Sequence, residues 1–111
     1  RTASGRPAHG SAVLSHLLPA VPTVLYPPGG ETTVPRTNLT LSWVPDPNVA
    51  GYEVVLEQGE SDDMIVRLPA NQSSLDVPDG VLAPGVTTYL EVIAVGRNGN
   101  RTVVEVEFTT S

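Results

Sequence analysis

Apolar and polar residues alternate along most of the chain that follows residue 20. A period of two is typical of strands that bury one face, because successive side chains of a strand point to opposite sides. The alternation predicts β-strands, with Trp43 at the centre of the core. The inward positions that it predicts most clearly are Leu39, Leu41, Trp43, Tyr52, Val54, Leu56, Leu90, Val92 and Ala94.

Shorter runs of alternating residues predict further strands before, between and after the segments that hold these positions. Residues 23–26 are predicted as a first strand, residues 64–68 as a short edge-like strand, and Leu75 with Val77 as a brief inward face. Residues 102–108 alternate again after Asn98-Gly99, a pair that favours a tight turn with positive φ. Glycine and proline recur about every eight to twelve residues, which suits strands rather than helices. The prediction is an all-β fold, a seven-stranded antiparallel sandwich.

The first twenty residues have a different character. Residues 1–10 show no hydrophobic period, and residues 11–18 are a short apolar stretch interrupted by polar residues. We expect residues 1–20 to be a linker or the tail of a preceding domain, and residues 21–111 to form the domain. The chain starts at Arg1 and has no signal-peptide pattern, so we expect it to be part of a longer protein.

Several short motifs follow one another in a fixed order along residues 21–111. They are Pro22, Leu39-x-Leu41-x-Trp43, Gly51-Tyr52-x-Val54, Leu82-x-Pro84-Gly85 and Val92-x-Ala94-Val95. With these motifs, residues 21–111 resemble a fibronectin type III domain of the immunoglobulin-like β-sandwich superfamily. The resemblance implies two antiparallel sheets of three and four strands with the tryptophan packed between them. The absence of cysteine excludes the disulfide of a true immunoglobulin domain.

One position departs from the family pattern. The family usually has a tyrosine six residues after the leucine of Leu-x-Pro-Gly, and here that position is Thr88, with Tyr89 one place later. The alternation that directs Leu90 inward directs Tyr89 outward. Either the tyrosine corner is lost or a one-residue bulge restores it, and we expect loss.

Composition and charge exclude several functions. Without cysteine, the chain has no disulfide scaffold, no thiolate nucleophile and no cysteine-based zinc site. A net charge of −6, with six arginines and no lysine, argues against a nucleic-acid partner. The apolar run in residues 12–18 is much shorter than the roughly 20 residues that span a bilayer, so we expect no membrane insertion. The absence of lysine, with abundant alanine, valine, proline, glycine and arginine, favours a bacterial source.

No catalytic, cofactor-binding or metal-binding residue is predicted. The two histidines, His9 and His16, fall in the expected linker, so no triad can be assembled in the folded part. Residues 60–63 are acidic but lack the glycine spacing of calcium loops, and we expect a solvated turn there. Outward glutamates on a sheet lack a cleft that would make one of them an acid catalyst. We therefore expect no enzyme and no cofactor.

The outward positions of the predicted strands suggest an interaction surface. Apolar and charged side chains interleave there, as in many modest binding patches. Its predicted members are Tyr89, Glu91, Ile93, Val55 and Val103.

The same face carries like charges on adjacent strands. Glu91 would lie opposite Glu105 or Glu107, and their repulsion would cost a few tenths to about 1 kcal/mol unless Arg97 or Arg101 intervenes.

The resemblance and the missing catalytic residues imply a non-catalytic module of a larger secreted or cell-surface protein, acting as a spacer or a protein-interaction domain. Its partners would be neighbouring domains of the parent chain or another protein. The alternative is a carbohydrate-binding accessory domain of a polysaccharide-degrading enzyme, for which Tyr26 and Tyr89 are the candidate sugar-stacking rings. A third hypothesis, an enzyme with its active site in this chain, is opposed by the placement of the histidines.

Overall fold

The computed structural model describes residues 19–59 and 61–111. These residues form seven strands and no helix, and none of their segments is a helix able to cross a membrane. The strands are β1 (Val24–Tyr26), β2 (Leu39–Trp43), β3 (Val49–Gln58), β4 (Ser61–Pro69), β5 (Ser74–Val77), β6 (Thr87–Gly96) and β7 (Arg101–Thr109).

The strands pair in two antiparallel sheets. One has three strands in the order β1-β2-β5, and the other has four in the order β4-β3-β6-β7. The predicted all-β, seven-stranded antiparallel sandwich is confirmed. The outer edge of β7 is partly covered by the segment between β1 and β2, since Gly30 N–H donates to the Glu107 carbonyl at 2.8 Å and Val34 N–H to the Thr109 carbonyl at 3.1 Å.

The core lies between the sheets and contains all nine inward positions that the alternation predicts most clearly, together with Val77, whereas Leu75 is partly buried against it. Trp43 is 1% exposed, and its ring meets that of Tyr52 edge-on with centroids 5.5 Å apart. The Trp43 Nε1–H has no hydrogen-bond partner among the described residues. The stability contributed by this side chain therefore comes from packing rather than from hydrogen bonding.

Two predicted turns differ in the structure. The β6–β7 hairpin spans residues 97–100 instead of a two-residue turn, and only Gly99 has a positive φ, at 88°. The Asn98 side chain instead accepts a hydrogen bond from Asn100 N–H at 3.1 Å, so its amide stabilises the longer loop. In the acidic stretch, residues 61–63 begin β4 rather than forming a turn, because Gln58 already pairs with Ser61.

The tyrosine corner is absent, as expected. β6 pairs with β7 without a register shift, so Thr88 points into the core and is 0% exposed, whereas Tyr89 lies on the outer side. The Thr88 hydroxyl donates to the Val86 carbonyl at 3.0 Å and accepts from Gln58 Nε2 at 3.0 Å. A threonine thus supplies a local hydrogen bond at the position where the resemblance led us to look for a tyrosine.

Gln58 and Thr110 hold the loop before β6 from both sides. Ala83 N–H donates to Gln58 Oε1 at 2.9 Å, and Gln58 Nε2 donates to the Ala83 carbonyl at 3.2 Å. The buried Thr110 hydroxyl accepts from Val86 N–H at 3.0 Å and donates to the Ala83 carbonyl at 2.7 Å. These contacts join β3, the residue that follows β7 and the loop, and they position the start of β6.

The first two described residues, Pro19 and Ala20, contact the rest of the domain. Pro19 is buried near Gly96, Ala20 N–H donates to Asp46 Oδ2 at 3.2 Å, and Thr102 Oγ1 donates to the Ala20 carbonyl at 3.1 Å. Residues 1–18, which include both histidines, lie outside the described residues. That residues 1–20 are a linker stays a prediction.

Trp43→Ala should cost about 3 to 5 kcal/mol of unfolding free energy, because it removes the largest buried side chain and leaves a cavity. Trp43→Phe should cost less, since it keeps most of the packing and removes an unpaired N–H. Chemical denaturation measures both, with Val44→Ala, at a 44% exposed neighbour, as the near-neutral control. A loss under about 1 kcal/mol for Trp43→Ala would contradict the core assignment.

Thr110→Val should cost about 1 to 3 kcal/mol, because it keeps the shape and leaves Val86 N–H without its acceptor. Thr109→Val makes the same chemical change one residue earlier and should change stability by less than about 0.5 kcal/mol. Denaturation midpoints compare the two variants. Equal effects would mean that the Thr110 hydroxyl does not hold the loop.

Candidate functional site

The outer face of the four-stranded sheet brings together all five residues of the predicted interaction surface. Tyr89, Glu91 and Ile93 lie on β6, which pairs with β3 on one side and with β7 on the other. Val55 on β3 and Val103 on β7 therefore flank them directly. We call this surface the outer sheet face and define it by the residues in the three rows described next.

Cross-strand pairing arranges these side chains in rows. The first row runs Arg67, Glu53, Ile93, Val103 from β4 to β7. The second row runs Ile65, Val55, Glu91, Glu105. The third row runs Glu57, Tyr89, Glu107 from β3 to β7. Side chains in one row are nearest neighbours, because directly opposite residues have Cβ atoms about 4.5–5.5 Å apart.

Branched apolar side chains occupy the middle of the outer sheet face. Val55 and Ile93 are half-buried there, Val103 is 36% exposed, and Ile65 is 59% exposed. Ile65 was not among the predicted members, although alternation with the inward Met64 and Val66 would have placed it outward. Together these four side chains form an apolar band that crosses all four strands.

Glu53, in the first row, forms ion pairs with two arginines. Arg67 belongs to the same row, and Arg101 lies next to that row on β7. Arg67 Nε lies 3.1 Å from Glu53 Oε2, and Arg101 Nη2 pairs with Glu53 Oε1. The Glu53 side chain is only 16% exposed, whereas those of Arg67 and Arg101 are 84% and 49% exposed. Because Arg101 is on β7 and Glu53 is on β3, the arginine side chain reaches across β6. Glu53 was predicted as an outward glutamate, but neither it nor Arg67 was among the predicted members of the interaction surface.

Glutamates occupy the other end of the outer sheet face. Glu91 lies directly opposite Glu105, which confirms one of the two pairings expected from the sequence, and Glu107 lies opposite Tyr89. Glu57 is paired with Tyr89 on the other side. Glu57, Tyr89, Glu91 and Glu105 each make a further interaction of their own, so none of them is isolated. The face therefore divides into an end where Arg67 and Arg101 pair with Glu53 and two rows that carry the other glutamates.

Arg97 and Arg101 were considered as charges that could relieve the repulsion between Glu91 and Glu105. Both have other partners in the structure. Arg101 pairs with Glu53, and Arg97 Nη2 donates to the Pro47 carbonyl at 3.3 Å. Arg97 thereby ties the β6–β7 loop to the loop between β2 and β3.

The two candidate sugar-stacking tyrosines lie in different sheets. Tyr26 belongs to β1 and packs against the core, and Tyr89 lies on the outer sheet face of the other sheet. They do not form one aromatic surface.

A cavity of about 440 Å³ opens where the described chain begins, lined mainly by residues 20–23 and 44–48. Its carboxylate, Asp46, accepts hydrogen bonds from Ala20 N–H at 3.2 Å and from Asn48 N–H at 2.9 Å. The Tyr52 hydroxyl accepts from Asp46 N–H at 2.8 Å. These polar groups join chain segments to one another. Among residues 19–59 and 61–111, no group of three or more histidine, cysteine, aspartate or glutamate side chains could hold a metal ion.

The fold and this surface define a class: an all-β antiparallel sandwich of two sheets that displays a mixed apolar and charged sheet face. No protein-family model matches the chain, and a search of curated proteins finds no significant match.

A double-mutant cycle of Glu53→Gln with Arg101→Gln should give a coupling energy of about 0.2 to 1 kcal/mol, because the arginine is half exposed and solvent weakens the pair. The coupling should fall further in about 0.5 M salt. Glu53→Gln combined with Arg97→Gln is the matched control and should give none. Equal coupling in both cycles, measured by denaturation, would contradict the assigned pair.

Proposed function

We propose that this chain is a non-catalytic fibronectin type III-like module of a larger secreted or cell-surface protein, bacterial by its composition. It acts as a spacer or a protein-interaction domain. Its partners are neighbouring domains of the parent chain or another protein. The sheets of three and four strands, with Trp43 packed between them, are what the resemblance implies, and they support this proposal.

The observation that carries an interaction role is the apolar band on the outer sheet face. Ile65 at 59% exposure and Val103 at 36% are both large branched side chains, and the half-buried Val55 and Ile93 connect them across the sheet. Single exposed apolar residues are common on protein surfaces. A contiguous band that is bordered by charged groups is the arrangement found in binding patches.

The positions of the tyrosines favour a protein partner over a sugar. Sugar-binding surfaces stack pyranose rings on exposed aromatic side chains, and flat surfaces use several rings in line. Tyr26 packs against the core of one sheet and Tyr89 lies on the outside of the other, so a sugar chain could meet only one of them.

The glutamates of the outer sheet face favour binding over catalysis. They stand on an open sheet rather than in a cleft, and enzyme sites need a concave surface that excludes water around the reacting groups. We therefore propose that these charged groups contribute to the choice of a binding partner.

An antibody raised against this chain should detect, in fractionated source cells and medium, a parent protein much larger than 11.7 kDa. We expect the band in the medium or the surface fraction, because the proposal makes the chain one module of a secreted or surface protein. Immunoblotting with marker proteins for each fraction measures size and location together. A band near 11.7 kDa in the cytosolic fraction alone would overturn the module proposal.

A further inference from the structure

We infer that the open edge of β4 pairs with the same edge of a second copy of this chain, antiparallel, about a two-fold axis at Val66. The other edge of the four-stranded sheet, at β7, is already bonded to residues 30–34. The contact would be a short β-ladder made by backbone groups. It goes beyond the proposed function, because it does not depend on which protein contains the chain.

Hydrogen bonds at β7 show which backbone groups of the four-stranded sheet point toward its edges. Gly30 donates its N–H to the Glu107 carbonyl at 2.8 Å, so Glu107 directs this carbonyl away from β6. Gly96 N–H donates to the Asn100 carbonyl at 2.7 Å, where β6 and β7 meet. Along an antiparallel strand, the N–H and C=O groups of successive residues point alternately to the two sides. Even-numbered residues of β6 and β7 therefore bond each other.

The same alternation continues across β3 to β4. Odd-numbered residues of β6 bond β3, and their partners on β3 are odd-numbered as well. The even-numbered residues of β3 are left to bond β4, and their partners there are Met64, Val66 and Leu68. Ile65 and Arg67 consequently direct their N–H and C=O groups toward the open edge of β4.

Other features of β4 agree with an open edge of limited length. Pro69 lacks an N–H and follows the alternation of Ile65 and Arg67, so the ladder with β3 loses no hydrogen bond. At the other end, a register shift in that ladder leaves residue 63 without a partner. The regular open edge therefore runs over residues 64–68. Within the described part of the chain, the backbone groups of Ile65 and Arg67 have no partner on that side.

Two copies of this edge match in one antiparallel register. With Val66 opposite Val66 of the second copy, Ile65 of each copy stands opposite Arg67 of the other. Each of these pairs forms two backbone hydrogen bonds, because both of its residues direct N–H and C=O groups outward. All four open groups of each copy are then bonded. The two four-stranded sheets become one continuous sheet, and the interface is self-complementary, as a two-fold axis requires.

Neighbouring registers match less well. A register centred on Arg67 sets two arginines opposite each other and sets Ile65 against Pro69, which cannot donate. A register centred on Ile65 needs residue 63, which lies at the shift in the ladder. A register centred between two residues sets open groups against groups already bonded to β3. The register centred on Val66 avoids all three problems.

The side chains opposite each other in this register are compatible. On the inner side, the half-buried Met64 stands opposite Leu68 of the second copy, and Val66 meets Val66, so these contacts are apolar. On the outer side, Ile65 is 59% exposed and lies beside the aliphatic stem of Arg67, whose side chain is 84% exposed. No two of these residues set like charges against each other.

The short ladder implies weak association. Five residues at about 3.4 Å each make roughly 17 Å of ladder, and interfaces below about 1,200 Å² are typically transient. A net charge of −6 on each copy opposes association and is screened by salt. We expect a dissociation constant of roughly 0.1 to 1 mM at about 0.15 M salt.

The test uses the full chain. Sedimentation equilibrium up to about 2 mM should show a monomer and a dimer. Amide exchange of Ile65 and Arg67 should slow as concentration rises, whereas Val66, bonded to β3, should be protected throughout. In a mixture of labelled and unlabelled chains, an intermolecular nuclear Overhauser effect should join the Val66 Hα atoms, because Cα atoms of such a pair lie about 4.5 Å apart.

Substitutions at an exposed position test the register. Ile65→Arg sets arginines opposite each other twice and should weaken the dimer roughly fivefold, whereas Ile65→Glu sets carboxylates against Arg67 and should bind at least about fivefold more tightly than Ile65→Arg. Net charge alone predicts the opposite order, because Ile65→Arg makes the chain less negative and Ile65→Glu makes it more negative. Leu25→Arg is the matched control, since Leu25 is also 59% exposed but lies in the other sheet, and it should not weaken the dimer.

Three results would overturn the inferred pairing. A chain that stays monomeric up to about 2 mM has no such interface. Equal weakening by Ile65→Arg and Leu25→Arg, or intermolecular contacts away from β4, would place the dimer on another surface. If the chain stays monomeric while a capped Thr-Val-Thr-Val-Thr peptide slows amide exchange of Ile65 and Arg67, the edge accepts a strand but a second copy is not its partner.

Discussion

Packing of Trp43 against Tyr52 between the sheets decides which side of each neighbouring strand faces the core. Trp43 belongs to β2 in the three-stranded sheet and Tyr52 to β3 in the four-stranded sheet, so this contact joins the two layers. Because side chains of a strand alternate, an inward Tyr52 requires Glu53 and Val55 to point outward. Because β3 pairs with β6 and β6 pairs with β7, the inward and outward positions of β3 also determine those of β6 and β7.

The exposed surface is thus a consequence of the buried one. A shift of β7 by one residue would turn Glu105 toward the core and expose Val104 and Val106, and burying an unpaired carboxylate is costly. The like-charged pair of Glu91 and Glu105 is tolerated because its repulsion is small beside the burial of the inward layer.

Much of this arrangement could be predicted from the sequence, since a period of two is local information. Alternation identified the inward layers of β2, β3 and β6, the loss of the tyrosine corner at Thr88, and all five residues first assigned to the surface. It could not identify contacts between residues distant in sequence. The Arg67–Glu53–Arg101 pairs and the contacts of Gln58 with Ala83 depend on strand order, which no single strand encodes.

The errors in the turns have a similar cause. Asn98-Gly99 fits a two-residue turn by composition, but the residues that pair on either side set the loop length, and here they leave four residues between the strands. Acidic residues 61–63 look like a solvated turn in isolation. They become a strand because β3 offers a long partner that extends to Gln58.

Cross-strand nuclear Overhauser effects in the labelled full chain measure the register of β3, β6 and β7. This register decides which side chains share the outer sheet face. The register described above predicts contacts between Val55 and Glu91 and between Glu91 and Glu105, with Val54, Val92 and Val104 together in the next row on the opposite face. Contacts that join Glu91 to Val104 or Val106 instead would contradict it, because the glutamates and the apolar band would then no longer share the outer sheet face.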